Sequence, residues 1–230
     1  MYRWICLSVN LGGVVPDNPE NKDLIEKYKN LLDDFQTLDA EHQRTKRALE
    51  IKEIEVKAVL AQAHEIANTD VLTFLPNRRK IIVDLQEEVI RSNRYGTPLS
   101  ISILDIDHFK KINDTYGHTT GDDALRSVAA RLREQIRNPD TIGRYGGEEF
   151  LIVLPNSEIK AAGEQAERLC QRVRTLEIDS NNHTFKVTIS IGVAQYKIGQ
   201  ENWEQFLRRA DEALYKAKDE GRDRWVVAGG

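Results

Sequence analysis

Asp105 and Asp107 stand two residues apart at the end of an apolar run, and Glu148 and Glu149 follow a Gly-Gly pair within Arg144-Tyr145-Gly146-Gly147-Glu148-Glu149-Phe150. On a strand, residues two apart project to the same face. So much negative charge is costly to desolvate unless a cation or partner compensates. A divalent metal would do so, and hard carboxylate oxygens suit Mg2+. A Gly-Gly pair beside a strand pattern reads as a tight hairpin turn. Without Cβ atoms it lets backbone come close to a bulky ligand. The acids then project from the rim of a buried strand, where a metal bound to a phosphate ligand would sit. Lys110 lies within reach of such a phosphate. Asn113 and Asp122 offer an amide and an acceptor pair. Those suit a guanine edge, with its N1–H and N2–H2 donors and its O6 and N3 acceptors. The plainer alternative is a hairpin and a strand-end turn whose acids are solvated.

Such groups need a sheet to hold them. Leu99–Ile106 reads as a strand, with Ile101, Ile103, Leu104 and Ile106 apolar. Further strands are expected over 148–154, over 184–195 and at Trp225-Val226-Val227. Helices are expected over 78–95, 122–137, 158–175 and 202–220, the second with Leu125, Val128, Ala129 and Leu132 along one face. Alternating helices and strands imply an α/β fold in which helices cover a central sheet.

Upstream of this lies a different pattern. Residues 20–68 contain no proline and no glycine. Leu24, Tyr28, Leu31, Phe35 and Leu38 recur in alternating steps of four and three, and His42, Thr45 and Leu49 continue the frame. Lys52 interrupts it, and Val56, Val59, Ala63 and Ile66 resume it. This heptad spacing predicts a parallel two-stranded coiled coil; an amphipathic helix folded back on the domain is the alternative. Ile51, Ile54, Ala58 and Ala61 offer a competing frame. The stalk would then have two registers to choose between, a device suited to signalling.

At 230 residues the chain fits one medium domain plus an extension. A formal net charge of −4 without a basic block argues against general nucleic-acid binding. Cys6 and Cys170 form neither a disulfide framework nor a metal-ligand spacing, which suits a reducing, cytoplasmic setting. The apolar residues Trp4, Ile5, Cys6 and Leu7 fall far short of the roughly 20 needed to span a bilayer, and no clear signal-peptide cleavage site follows. The expected organisation is a cap or remnant of an upstream region over 1–19, a dimerising stalk over 20–68 and a nucleotide domain over 69–230.

The second of these patterns continues into a resemblance that covers roughly 70–227. It runs through Asp70-Val-Leu-Thr-Phe-Leu-Pro-Asn-Arg-Arg79, Asp105-Ile-Asp-His-Phe-Lys110, Asn113-Asp-x-Tyr-Gly-His118 and Gly121-Asp122. It continues in Arg144-Tyr-Gly-Gly-Glu-Glu-Phe150, Ser190-Ile-Gly192, Ala210-Asp-x-Ala-Leu-Tyr-x-Ala-Lys218 and Gly221-Arg222. In these the chain resembles the GGDEF family of diguanylate cyclases. The resemblance implies a central five-stranded mixed sheet flanked by helices, related to the nucleotide-cyclase and polymerase palm. It implies condensation of two GTP into cyclic di-GMP and two pyrophosphates across a homodimer. By position, Asp105, Glu148 and the Ile106 carbonyl would hold two Mg2+ or Mn2+ ions, with Glu149 as partner acid. Asn113 and Asp122 would recognise guanine, and Gly146 and Gly147 would sit against the nucleotide. Lys218 and Arg222 would hold the terminal phosphates, on one helix if it reaches that far, with Lys110 and the Phe109 backbone nearby and His118 beside the nucleotide.

Arg137-Asn138-Pro139-Asp140 fits the family's Arg-x-x-Asp inhibitory site for cyclic di-GMP, and Arg168 resembles the arginine that completes it in some members. A sensor domain upstream is a further implied partner. Phe74 departs from the family, standing where glycine is common, and Glu148 replaces aspartate in the name motif. The alternative function is a module that binds GTP or cyclic di-GMP without turnover.

Overall fold

The computed structural model describes residues 19–229. The cap expected over 1–19 lies, but for Pro19, outside them. The chain divides into two units, Met1–Gln62 and Ala63–Gly230.

The first unit is carried by α1 (Pro19–Asn68), one helix of 50 residues. Proline is well suited to the first helical position because its missing N–H would have had no partner there, and Glu20 complements the positive end of the helix dipole. The heptad seam lies open. Leu24, Leu31, Leu38 and Leu49 are 67%, 66%, 65% and 70% exposed. The Lys27–Asp23 and Lys57–Glu53 pairs, one turn apart on the exposed surface, add only tenths of a kcal/mol each. Lys52, the polar break in the seam, is paired with Glu55 at 2.7 Å.

In the second unit, β1 (Leu99–Ile106), β2 (Thr141–Arg144), β3 (Glu149–Pro155), β6 (Ile189–Gln195) and β7 (Trp225–Val227) form one sheet in the order β2-β3-β1-β6-β7. Only β6 and β7 run parallel; the other neighbours are antiparallel. The sheet is mixed and five-stranded, as expected. Strand β1 sits at its centre and is buried along its whole length. Its residues therefore read as a near-continuous apolar run rather than an alternation.

One face is covered by α4 (His118–Arg133) and α5 (Ile159–Arg174), whose Leu125, Val128, Leu132, Leu169 and Val173 meet Leu104, Phe150, Ile152 and Ile191. The other is covered by α2 (Arg78–Tyr95) and α6 (Trp203–Asp219), whose Ile81, Leu85, Phe206 and Leu214 meet Ile101, Ile103, Leu151 and Val153. Asn77 caps α2, accepting the Lys80 N–H, and Asn202 with Gln205 closes a reciprocal capping box on α6.

Two expectations need correction. The helix expected over 122–137 starts earlier and ends earlier. It is preceded by the short α3 (Phe109–Tyr116), and Gly117 separates the two with φ at +85°. Eight residues with only Phe109 and Ile112 buried leave too little periodicity to announce a helix. Its C-terminal end tightens at Gln135 and Ile136, whose N–H groups reach back three residues, before Pro139. The strand expected over 184–195 is also two. A hairpin of β4 (Ile178–Ser180) and β5 (His183–Phe185) precedes β6. Its turn is Asn181-Asn182, both left-handed at φ of +49° and +64°. That is the asparagine chemistry favoured in two-residue hairpins.

Candidate active site

Asp105 is the last but one residue of β1. The ladder sets it opposite Glu149 on β3 and Ser190 on β6. Its Oδ2 lies 2.8 Å from Lys218 Nζ, near the end of α6. Burial pushes the Asp105 carboxyl above the usual carboxylate range despite the pull of Lys218. Glu148 and Glu149 are raised in the same way, first by burial and then by the negative charge of Asp105. Three acids thus share one partly desolvated corner and call for positive charge. Among the described residues no three His, Cys, Asp or Glu side chains gather as a ready-made metal cage.

The turn that delivers Glu148 is held rigidly. The Tyr145 and Gly146 N–H groups both donate to the Glu149 carbonyl, at 2.8 and 3.1 Å. Neither Gly146 nor Gly147 has a left-handed φ, so glycine is needed here for space. A Cβ on Gly146 would strike the Glu149 carboxylate at 2.3 Å, while a Cβ on Gly147 would meet no protein atom within 4 Å. Only Gly147 leaves room for a ligand.

Two arginines brace this turn. Arg144 donates to the Gly147 carbonyl through Nε and Nη2, at 3.1 and 2.7 Å, and to the Asp70 carboxylate through Nη1. The Arg78 guanidinium stacks on the Tyr145 ring, 4.7 Å from its centre. Asp70 follows the end of α1, whose Ala67 carbonyl accepts from Asn77 and Arg79. The end of the long helix and the Gly-Gly turn are thereby joined through two side chains. Sequence reading missed this link, since only the fold brings residues 74 apart in number into contact.

Lys218 lies on α6, but Arg222 does not. The helix ends at Asp219, and Arg222 sits beyond it at φ +64°. The two would share a helix only if it reached that far, and it stops short, close to the expected end at 220. Gly221 at φ +115° turns the chain out of helical geometry. Arg222 still stands near enough to Asp105 for its charge to be felt there. Its loop is tied down by Asp107. That carboxylate accepts from Thr188 Oγ1 at 2.6 Å, Ser190 Oγ at 2.7 Å and the Asp223 N–H at 3.1 Å. Asp223 in turn is forked by Arg174. Of the two strand-end acids, then, Asp105 faces Lys218, while Asp107 is saturated by donors and fastens β6 and the Arg222 loop to β1.

The expected base-recognition pair comes from adjacent helices. Asn113 on α3 lays its Oδ1 against Gly121 of α4, so closely that a Cβ there would meet it at 1.9 Å. Asp122 is the next residue and is half-exposed. Phe109 is buried, and Lys110 and His118 are exposed at the starts of α3 and α4. The α3–α4 break at Gly117 lets Asn113 of α3 meet Gly121 of α4, next to Asp122.

A second pocket, of about 300 Å3, lies between the 135–140 segment, the end of β3 and α5. Arg137, Asp140 and Arg168 all line it, as do Ser157 and Gln165, which sequence reasoning missed because nothing local marks them. Arg137 donates to Asp140 Oδ2 at 3.3 Å and to Ser157 Oγ at 3.0 Å. Burial raises the Asp140 carboxyl, against the pull of Arg137 and Gln165.

The fold is an α/β domain with a corner of acids at the end of its central strand. The family model described as "Diguanylate cyclase, GGDEF domain" matches residues 67–224, and the chain belongs to this family. Diguanylate cyclase DgcP of Pseudomonas aeruginosa is 41% identical over 169 residues, covering 74% of this chain but 25% of DgcP. The chain thus spans about a quarter of the length of that curated relative. The solved coiled coil and GGDEF domain of DgcB from Caulobacter crescentus, in complex with c-di-GMP, is 32% identical with a TM-score of 0.75. The match covers 80% of this chain and 98% of that one. Diguanylate cyclase SiaD of Pseudomonas aeruginosa, solved with its activator SiaC, is 36% identical with a TM-score of 0.70. It covers 91% of this chain and 86% of that one. Among the described residues, no helix is long and apolar enough to cross a membrane.

Proposed function

We propose that this chain is a diguanylate cyclase that joins two GTP into cyclic di-GMP and two pyrophosphates. The observation that carries the reading is the corner where Asp105, Glu148 and Glu149 meet Lys218 beneath the open Gly147 turn. Asp105 and Glu148, with the Ile106 carbonyl, would hold two Mg2+ or Mn2+ ions. When bound, such a pair stabilises both the attacking and the leaving oxygen of an in-line displacement at phosphorus. The chain's own groups do the remaining work. Asn113 and Asp122 read the guanine edge. Gly147 leaves the nucleotide room beside the turn, while Gly146 lets the turn pack against the Glu149 carboxylate. Lys218 and Arg222 neutralise the terminal phosphates, with Lys110, the Phe109 backbone and His118 at the rim. Lys218 holds the Asp105 charge in the free site and turns to phosphate as the nucleotide enters.

Each domain holds one GTP, so two domains must face each other for a 3′-hydroxyl to reach the other α-phosphate. The open seam of α1 supports a parallel coiled coil over residues 20–68 as the dimeriser of the domain over 69–230. Its two overlapping frames support control through register, with an upstream domain or a bound activator, as SiaD takes, as the input. The Arg137 pocket supports product inhibition by cyclic di-GMP.

Purified protein incubated with GTP and Mg2+ should yield cyclic di-GMP and pyrophosphate on chromatography. Glu148→Ala and Asp105→Ala should each lower the rate by more than about 100-fold while leaving the oligomeric state unchanged. Turnover retained in either variant would sink the assignment of the acids. Binding of GTP without any product in the wild type would favour a silent binding module.

A further inference from the structure

Among the described residues three buried side-chain polar atoms have no hydrogen-bond partner, namely Ser102 Oγ, Asp140 Oδ1 and Gln165 Oε1. Two of the three line the same pocket. The side chain of Asp140 is 1% exposed, and Gln165 is 6% exposed. The local donors are spent on one oxygen, since Gln165 Nε2 at 3.1 Å and Arg137 Nε at 3.3 Å both donate to Asp140 Oδ2. That contact also fixes the amide, because the opposite flip would set Gln165 Oε1 against the carboxylate. Two acceptors in one pocket are therefore left buried with no partner in the protein, an arrangement native proteins rarely keep without a use.

A ligand that carries two N–H donors on one edge offers a partner to each. Guanine does, with N1–H beside N2–H2. Adenine sets an acceptor, N1, next to its single donor group, and hypoxanthine lacks the N2 amine. Arg137 and Arg168 at the same mouth supply the positive charge that phosphates require.

We propose that Gln165 is a specificity-determining residue of this pocket, its Oε1 accepting from the guanine N2 amine while Asp140 Oδ1 accepts from N1–H. The inference deepens, and rests on, the reading of the Arg137 pocket as a cyclic di-GMP site.

The test is calorimetric titration of the full chain with cyclic di-GMP and with its inosine analogue, cyclic di-IMP, which lacks both N2 amines. The wild type should favour cyclic di-GMP by about 10-fold or more. Gln165→Leu should lose about that factor for cyclic di-GMP and change little for cyclic di-IMP, so that the preference collapses. Gln165→Asn keeps the amide but withdraws it by one methylene, and gives the same comparison should the leucine variant not fold. If both ligands weaken equally, or neither does, while Arg137→Ala abolishes binding, the role of Gln165 is overturned and the pocket stands. If Arg137→Ala binds cyclic di-GMP as the wild type does, the pocket reading itself fails and the proposal with it.

Discussion

Asp70 shows how one residue serves both stability and the site. Burial alone would raise its carboxyl, but the Thr73 hydroxyl and N–H and the Arg144 guanidinium outweigh it and hold the group below the usual range. A depressed carboxyl contributes stability above its unfolded value, and that contribution is lost as pH falls through the folded one. Asp70→Asn should therefore cost about 1–3 kcal/mol at pH 7, since it leaves Arg144 without its carboxylate. Urea unfolding at several pH values checks the sign. The gap to wild type should hold from pH 7 to about 5 and narrow below about 4. A gap that does not narrow would show that the ionised pair is not its source. Phe74, close by, is held at φ +55°. That region disfavours a bulky side chain, which is the physical reason glycine is common there.

At the scale of elements, the contact between α6 and β6 decides where Lys218 stands. Gly192 of β6 lies under α6. A Cβ there would fall 2.0 Å from the Ala210 carbonyl oxygen and 2.3 Å from the Leu214 nitrogen, both rigid backbone. Gly192→Ala must push the helix off the sheet. We expect a loss of about 3 kcal/mol, or a fall in Tm of about 6–12 °C, with a raised KM for GTP as Lys218 moves. Calorimetry and initial rates would check it. An unchanged Tm would mean that α6 is less firmly seated than this contact implies. Much of this level was legible in advance, from the apolar periodicity of α6 and the near-continuous apolar run of β1. The α3–α4 break and the β4–β5 hairpin were not, because elements of three to eight residues carry too few apolar positions to declare a period.

For the whole molecule the proposed function turns on whether two copies meet through α1. Leu31 and Leu38 are exposed in the single chain, so charging them leaves the domain fold untouched. If α1 pairs two copies, Leu31→Lys with Leu38→Lys should yield a monomer in sedimentation. The rate per protein should fall on the order of 100-fold at micromolar concentration and become second order in protein. A rate that stays high and linear in protein would remove the stalk from the proposed mechanism.

The chain's order of residues by itself determined the family, the mixed α/β sheet and the long helix, free of proline after its first residue. These rest on local chemistry, in periodicity, glycine at close approaches and acids at strand ends, which sequence displays directly. It also named Asp105, Glu148, Lys218, Arg137 and Asp140 as the groups to watch. Only the tertiary structure decided which neighbours those groups have. It turned Asp107 away from the acidic corner toward Thr188, Ser190 and Asp223. It took Arg222 off the helix, joined Asp70 to the Gly147 turn through Arg144, and left Asp140 and Gln165 with buried acceptors to spare. Each of these depends on hydrogen bonds between residues far apart in the chain, and such partnerships exist only once the sheet has set its register.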